Sequence, residues 1–116
     1  MAEYICKYLR PDLYCESRAV SYEEQGNDIY PDAKRCLNKH NIPYNRHYAK
    51  RIELEDYDRF DKIYVMDRSN LNRISRIIDD YDKKVEMLND KDVEDPWYTG
   101  NFEKVYNELV EGIKKI

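Results

Sequence analysis

The sequence predicts one α/β domain, residues 1–116, built on a parallel sheet. Short apolar runs of strand length alternate with segments of helical periodicity, which calls for parallel strands joined by right-handed crossovers. The run Ile63-Tyr64-Val65-Met66 is apolar at every position, as a strand buried on both faces requires. With 3 Gly and 4 Pro the chain has few breaks, and these fall between the periodic segments.

Ala2, Ile5, Cys6 and Leu9 sit at helical spacing, and Pro11 closes that segment because it pushes the preceding residue out of the helical region. Leu13-Tyr14-Cys15 reads as a short strand, and the polar stretch 22–27, which contains Gly26, as a loop. A helix follows Pro31 with Ala33, Cys36, Leu37 and His40 on one face. The acidic run 53–58 reads as a solvated helical turn, since it lacks the glycine and ligand spacing of a calcium loop. After the strand at 63–66, Asp67 or Ser69 caps a helix whose apolar face is Leu71, Ile74, Ile77 and Ile78. Val85-Glu86-Met87-Leu88 is a further strand, and residues 89–100 form a long loop interrupted by Asp95-Pro96. Asn101 caps a last helix carrying Phe102, Val105, Tyr106, Leu109 and Ile113. Opening on a helix is an oddity, because open α/β folds commonly begin with a central strand.

Composition narrows the function classes. Of the 41% apolar residues twelve positions are Tyr, so the aliphatic core is thin and much of the packing lies at its amphipathic edge. Lys+Arg 20 against Asp+Glu 24 leaves a net charge of −4, which argues against nucleic acid as a partner because phosphate binding needs a basic face. No apolar run is long enough to span a bilayer, and the N-terminus has no secretory pattern. Three cysteines, well separated, cannot all pair within one chain, so a reducing cytoplasm is the expected setting.

Several landmarks occur in one order. Met1-Ala2-Glu3 opens the first helix; Ser17 and Ala19-Val20-Ser21 follow the first strand; Pro31-Asp32 leads to Lys39-His40-Asn41-Ile42. Then come His47-Tyr48-Ala49-Lys50, the stretch from Glu55 to Asp61, and Met66-Asp67-Arg68-Ser69-Asn70-Leu71. Asp95-Pro96-Trp97-Tyr98-Thr99-Gly100 stands just before the last helix. This succession resembles the low-molecular-weight protein tyrosine phosphatases across essentially the whole chain.

The resemblance implies a three-layer α/β fold and hydrolysis of phosphate monoesters through a phosphocysteine, without a cofactor. It implies Asp95 as general acid, and Trp97 and Tyr98 as an aromatic wall against the substrate ring. Tyr22 and Glu23, with Glu24, would lie on a variable wall that sets substrate preference. Ser17 and His47 would brace the phosphate-binding loop, and Arg18 stands where a small residue is usual. Read without the family, an Asp before Pro is more often a turn residue, and the aromatic pair is simple loop packing. Substrates would be phosphorylated proteins or small aryl phosphates.

Family members begin with a strand running into a Cys-x5-Arg loop, followed by a helix that often starts Met-Ala-Glu. Here those three residues stand at 1–3. Six positions beyond Cys6, Cys15 and Cys36 are Asp12, Ser21 and Ile42, so no cysteine matches. The expectation is that the first central strand, the nucleophile and the phosphate-gripping arginine are missing, leaving the 116 residues inactive. Three readings fit: a phosphatase whose recorded start is internal, a catalytically dead binding or interaction module, or a remnant. Without the central strand, the segments near Tyr14 and Tyr64 would pair directly, or another segment or chain would fill the slot and could make a homo-oligomer. Ser17 and His47, with no loop to brace, would be left unsatisfied or hydrated. Cys36 and His40, one helical turn apart with His47 nearby in sequence, suggest a metal, but no second ligand pair is evident, so none is expected.

Overall fold

The computed structural model describes residues 1–20, 26–94 and 96–116, with the backbone alone at 97 and 98. Strand β1 (Ile63–Val65) pairs in parallel with β2 (Val85–Met87), setting Ile63 opposite Val85 and Val65 opposite Met87. Successive side chains of a strand point to opposite faces. Ile63, Val65, Val85 and Met87 therefore join Ile52, Tyr57, Ile74 and Ile78 in one core. Tyr64, Met66 and Leu88 join Ile5, Leu37, Val105, Leu109 and Ile113 in the other. Helix α4 (Arg68–Ser75) lies on the first face, with Tyr57 of α3 (Leu54–Arg59) in the same core. Helices α1 (Ala2–Leu9), α2 (Pro31–Lys39) and α6 (Phe102–Lys114) form the second core. The predicted layers of helix, sheet and helix follow from this alternation.

Local chemistry sets the helix ends. Pro31 at the first turn of α2 supplies a helical φ and removes an N–H that would have no partner there. At its other end Asn41 adopts φ 58°, while Ile42 N donates to Leu37 O at 2.9 Å and Asn41 N to Asn38 O at 3.1 Å. This is a Schellman closure, with Asn in the left-handed position that it tolerates better than most residues. Asp67 caps α4 by accepting from Asn70 N at 2.7 Å, and Asn101 caps α6 by accepting from Lys104 N at 3.2 Å.

Four expectations need correction. Leu13-Tyr14-Cys15 forms no strand: Leu13 N turns back to Arg10 O at 3.0 Å, and Tyr14, 76% exposed, stacks on Phe60. A three-residue run holds an extended ladder only against a partner strand, and direct pairing with the Tyr64 segment does not occur among the described residues. The acidic run is helical but not simply solvated, since Asp56 and Tyr57 are buried. Its capping box turns Asp56 inward, and Tyr57 donates its hydroxyl to Asp80 at 2.7 Å. Helix α4 stops at Ser75, yet Ile77 and Ile78 still reach the core through a turn whose amides donate to Ile74 O. The stretch 89–100 contains a short helix, α5 (Pro96–Thr99), ended by Gly100 at φ 71° with its N–H on Pro96 O at 2.7 Å.

Gly112 lets α6 approach the end of β2. A Cβ there would stand 2.6 Å from both Leu88 Cγ and Asn89 Oδ1. Ala has the better helix propensity by about 1 kcal/mol, but overpacking costs about 1–3 kcal/mol. Gly112→Ala is expected to lower stability by about 1 kcal/mol net in urea unfolding; an unchanged or raised midpoint would show that α6 shifts freely.

Candidate active site

Ser17, Arg18, Ala19, His47, Ala49 and Lys50 line a cavity of about 110 Å3. The backbone brings them together. Ala19 N donates to Lys50 O at 2.8 Å and Ile52 N to Ala19 O at 2.9 Å, so the segment after Ser17 runs parallel to the segment after His47. On the other side of that segment, Gly26 N donates to Ala49 O at 2.6 Å and Ala49 N to Asn27 O at 2.8 Å. Asp28 then fixes His47 by accepting its backbone N–H at 2.8 Å, and pairs with Arg46 at 3.1 Å.

Ser17 is not left unsatisfied, contrary to expectation. Glu3, from the first turn of α1, accepts the Ser17 backbone N–H at 2.8 Å and its hydroxyl at 3.0 Å. His47 Nε2 lies 3.5 Å from Ser17 Oγ, while His47 Nδ1 is 3.9 Å from Glu3 Oε2. Nor does His47 join Cys36 of α2 and His40 at its C-cap, whose third neighbour is Glu103. Burial pushes the Glu3 carboxyl up, but hydrogen bonds from Lys7 and Ser17 outweigh it and hold the group below its usual value. For His47, burial dominates and lowers the imidazole from its usual 6.5, with the Glu3 charge opposing. Glu3→Gln is therefore expected to drop the His47 pKa further, read by proton NMR titration of the ring. A rise would mean that Glu3 does not face the ring.

Arg18 has a structural task. Its guanidinium donates to Asp56 Oδ2 at 3.2 Å, Glu16 Oε1 at 3.0 Å and Ser17 O at 2.8 Å, so it folds toward α3. Asp56 is 2% exposed and also accepts Glu53 N at 2.9 Å. In the sequence Arg18 stands out only as a large residue where the resemblance implies a small one, and nothing there gives Glu3, Asp28 or Asp56 a role. The signal for Glu3 was its place in Met1-Ala2-Glu3; Asp28 and Asp56 carried none beyond an acid near a helix start.

The loop ahead of α6 is anchored at residues 92 and 93. Val93 is buried and donates its N–H to Met66 O at 2.8 Å, just past the C-terminal end of β1. Asp92 Oδ1 accepts Arg68 N at 3.0 Å. Beyond it, α5 carries Trp97 and Tyr98 on consecutive helical positions. Asp95 itself, like Tyr22, Glu23 and Glu24, lies outside the described residues, as do the side chains of Trp97 and Tyr98.

The sequence profile of the family described as low molecular weight phosphotyrosine protein phosphatase matches residues 1–116. The chain belongs to this phosphatase family. A low molecular weight protein-tyrosine-phosphatase PtpA from Staphylococcus aureus is 35% identical over 102 residues, covering 83% of this chain and 65% of the relative. The chain thus spans a little under two thirds of that curated phosphatase. Among solved structures, SP-PTP, a low molecular weight protein tyrosine phosphatase from Streptococcus pyogenes, superposes with a TM-score of 0.88 at 32% identity. That match covers 98% of this chain and 79% of the other. YfkJ from Bacillus subtilis superposes with a TM-score of 0.90 at 25% identity, over 97% of this chain and 80% of that one. Within the phosphatase family frame, Asp67 of the Met66-Asp67 landmark caps α4, and the Asp95-Pro96 landmark leads into α5.

Proposed function

We propose that residues 1–116 form a single domain carrying the proton-donating and supporting parts of a low-molecular-weight phosphotyrosine phosphatase site. A Cys-x5-Arg loop would complete that site, and the 116 residues on their own would be without turnover. The match of the phosphatase family to the whole chain is the observation that carries this reading. In the complete reaction a thiolate attacks phosphorus, and the P–O bond to the substrate breaks. Asp95 gives its proton to the departing oxygen. Water then attacks the phosphocysteine, Asp95 takes a proton from that water, and phosphate leaves as the thiolate is restored. Trp97 and Tyr98 would grip an aryl phosphate or a phosphotyrosine side chain, beside a wall formed by Tyr22 and Glu23. Ser17, His47 and Glu3 would hold the loop from below.

No cysteine of this sequence has an arginine six residues on. The buried thiols are also poorly suited to attack. Burial, then the neighbouring Cys15, pushes Cys6 up to about 12, and burial followed by the Glu103 charge raises Cys36. A nucleophilic thiol needs the opposite shift. No helix among the described residues is long and apolar enough to cross a membrane.

The test is turnover of p-nitrophenyl phosphate by the purified 116-residue chain. The expected result is a rate equal to buffer. Turnover that disappears in Asp95→Ala would overturn the proposal of inactivity. Binding of a phosphotyrosine peptide without turnover would favour a dead binding module. Appending a strand followed by a Cys-x5-Arg-Ser-Pro loop ahead of Met1 is expected to create turnover sensitive to Asp95→Ala. Sedimentation velocity on the same sample addresses strand addition at the sheet: a dimer at micromolar concentration is expected if a second copy fills the slot, and a monomer removes that partner.

A further inference from the structure

Helix α2 carries Cys36, its C-cap His40 follows one turn on, and α6 packs against it with Glu103 in its first turn. The Cys36 sulfur, a His40 ring nitrogen and a Glu103 carboxylate oxygen all lie within 4.8 Å of one another. From the three side chains and their spacing we propose a three-ligand site for a zinc-class transition-metal ion, Cys36-His40-Glu103, clasping α2 to α6.

Each ligand is already aimed inward. Cys36 is buried, and its Sγ faces the start of α6, 3.7 Å from the carbonyl oxygen of Phe102. His40 stacks flat on Tyr106, ring centroids 3.7 Å apart, which holds its plane while Nε2 meets Glu103 at 2.8 Å. Zinc bonds of ~2.0–2.3 Å at tetrahedral angles set ligand atoms ~3.3–3.7 Å apart, so the cluster closes on a cation by rotating side chains. The cation takes the place of the proton between His40 Nε2 and Glu103, which passes to solvent or to His40 Nδ1, leaving a neutral imidazole and a carboxylate as ligands. The Cys36 thiol releases its proton to solvent as the sulfur–metal bond forms.

The donor set selects the ion. Thiolate and imidazole favour Zn2+ over Mg2+ or Ca2+, which take oxygen ligands. Three protein ligands leave a fourth position for water, on the side where His40 and Glu103 are only partly covered. The competing group is Lys39, whose Nζ lies 3.1 Å from Glu103 Oε1, but its side chain is 69% exposed and free to swing out. Sequence spacing pointed to Cys36 and His40; only folding adds Glu103, 63 residues from His40.

Co2+ titration of the 116-residue chain tests the site. The expected result is one equivalent bound, with tetrahedral visible bands and a near-ultraviolet thiolate-to-cobalt band, both displaced by Zn2+. Cys36→Ser should abolish the thiolate band, and Glu103→Gln should weaken binding at least about tenfold. Cys6→Ser and Cys15→Ser should change neither. Absence of the thiolate band in the unmodified chain, or its survival in Cys36→Ser, overturns the proposal. If Cys36→Ser fails to fold by circular dichroism, His40→Gln, at a partly exposed position, decides instead: retained one-to-one binding at unchanged affinity also overturns it.

Discussion

Asp56→Ala is expected to destabilise the domain by about 3 kcal/mol, the low end of what breaking a buried ion pair costs. Asp56 is 2% exposed and holds the Arg18 guanidinium at 3.2 Å. It also closes the capping box of α3 by accepting Glu53 N at 2.9 Å. Without it, Arg18 keeps Glu16 at 3.0 Å as its remaining ion-pair partner, which is why the loss stays at the low end. The lost cap contributes about 1 kcal/mol of that figure. Burial raises the Asp56 carboxyl, but the Glu53 amide and then Arg18 outweigh it and hold it below the usual 3.8. A carboxyl depressed in the folded state adds stability above its unfolded pKa and loses it as pH falls through the folded value. The gap between parent and Asp56→Ala in urea unfolding should therefore be constant from neutral pH down to about 5, then close below about 4. A gap that persists at pH 2 would mean that the carboxylate charge is not what Arg18 needs.

Leu37→Ala is expected to cost about 2–5 kcal/mol, set against a usual domain stability of ~5–15 kcal/mol. Leu37 is 0% exposed, in the core shared with Ile5, Val105, Leu109 and Ile113. Truncation removes methyl groups from a site walled by helices, where collapse around the cavity is restricted. Leu54→Ala is the control: the same chemistry at a position 64% exposed, with an expected change within about 0.5 kcal/mol. Urea midpoints at unchanged slope are the measurement. Similar losses at the two positions would mean that Leu37 is not the packed residue described here.

Much of this architecture was legible because it rests on short-range rules. The helical stripes of α1, α2 and α6, the Asp67 and Asn101 caps and the two-faced strand at Ile63–Val65 all follow from periodicity and local hydrogen bonding. The segment 13–15 has the composition of a strand and forms none, because a strand exists only through its ladder and three apolar residues say nothing about what pairs with them. The acidic run at 53–58 misled for a related reason: carboxylates imply solvent until a distant Arg18 gives one of them a buried partner.

The candidate site divides in the same way. Ser17 and His47 could be picked out from residue order, and they line one cavity; the Asp95-Pro96-Trp97-Tyr98 landmark lies partly outside the described residues. Sequence alone therefore determined the fold class and the starts of α2 and α6, which rest on neighbours a few residues away, and the family resemblance, which rests on the order of landmarks; it did not determine where α4 ends or that α5 is helical. Tertiary structure alone decided that Glu3 satisfies Ser17, that Asp56 neutralises Arg18 and that Glu103 meets Cys36 and His40. Those pairings join residues 14, 38 and more than 60 positions apart. At such separations chain spacing sets no distance, and only the packing of whole elements brings opposite charges and ligand atoms together.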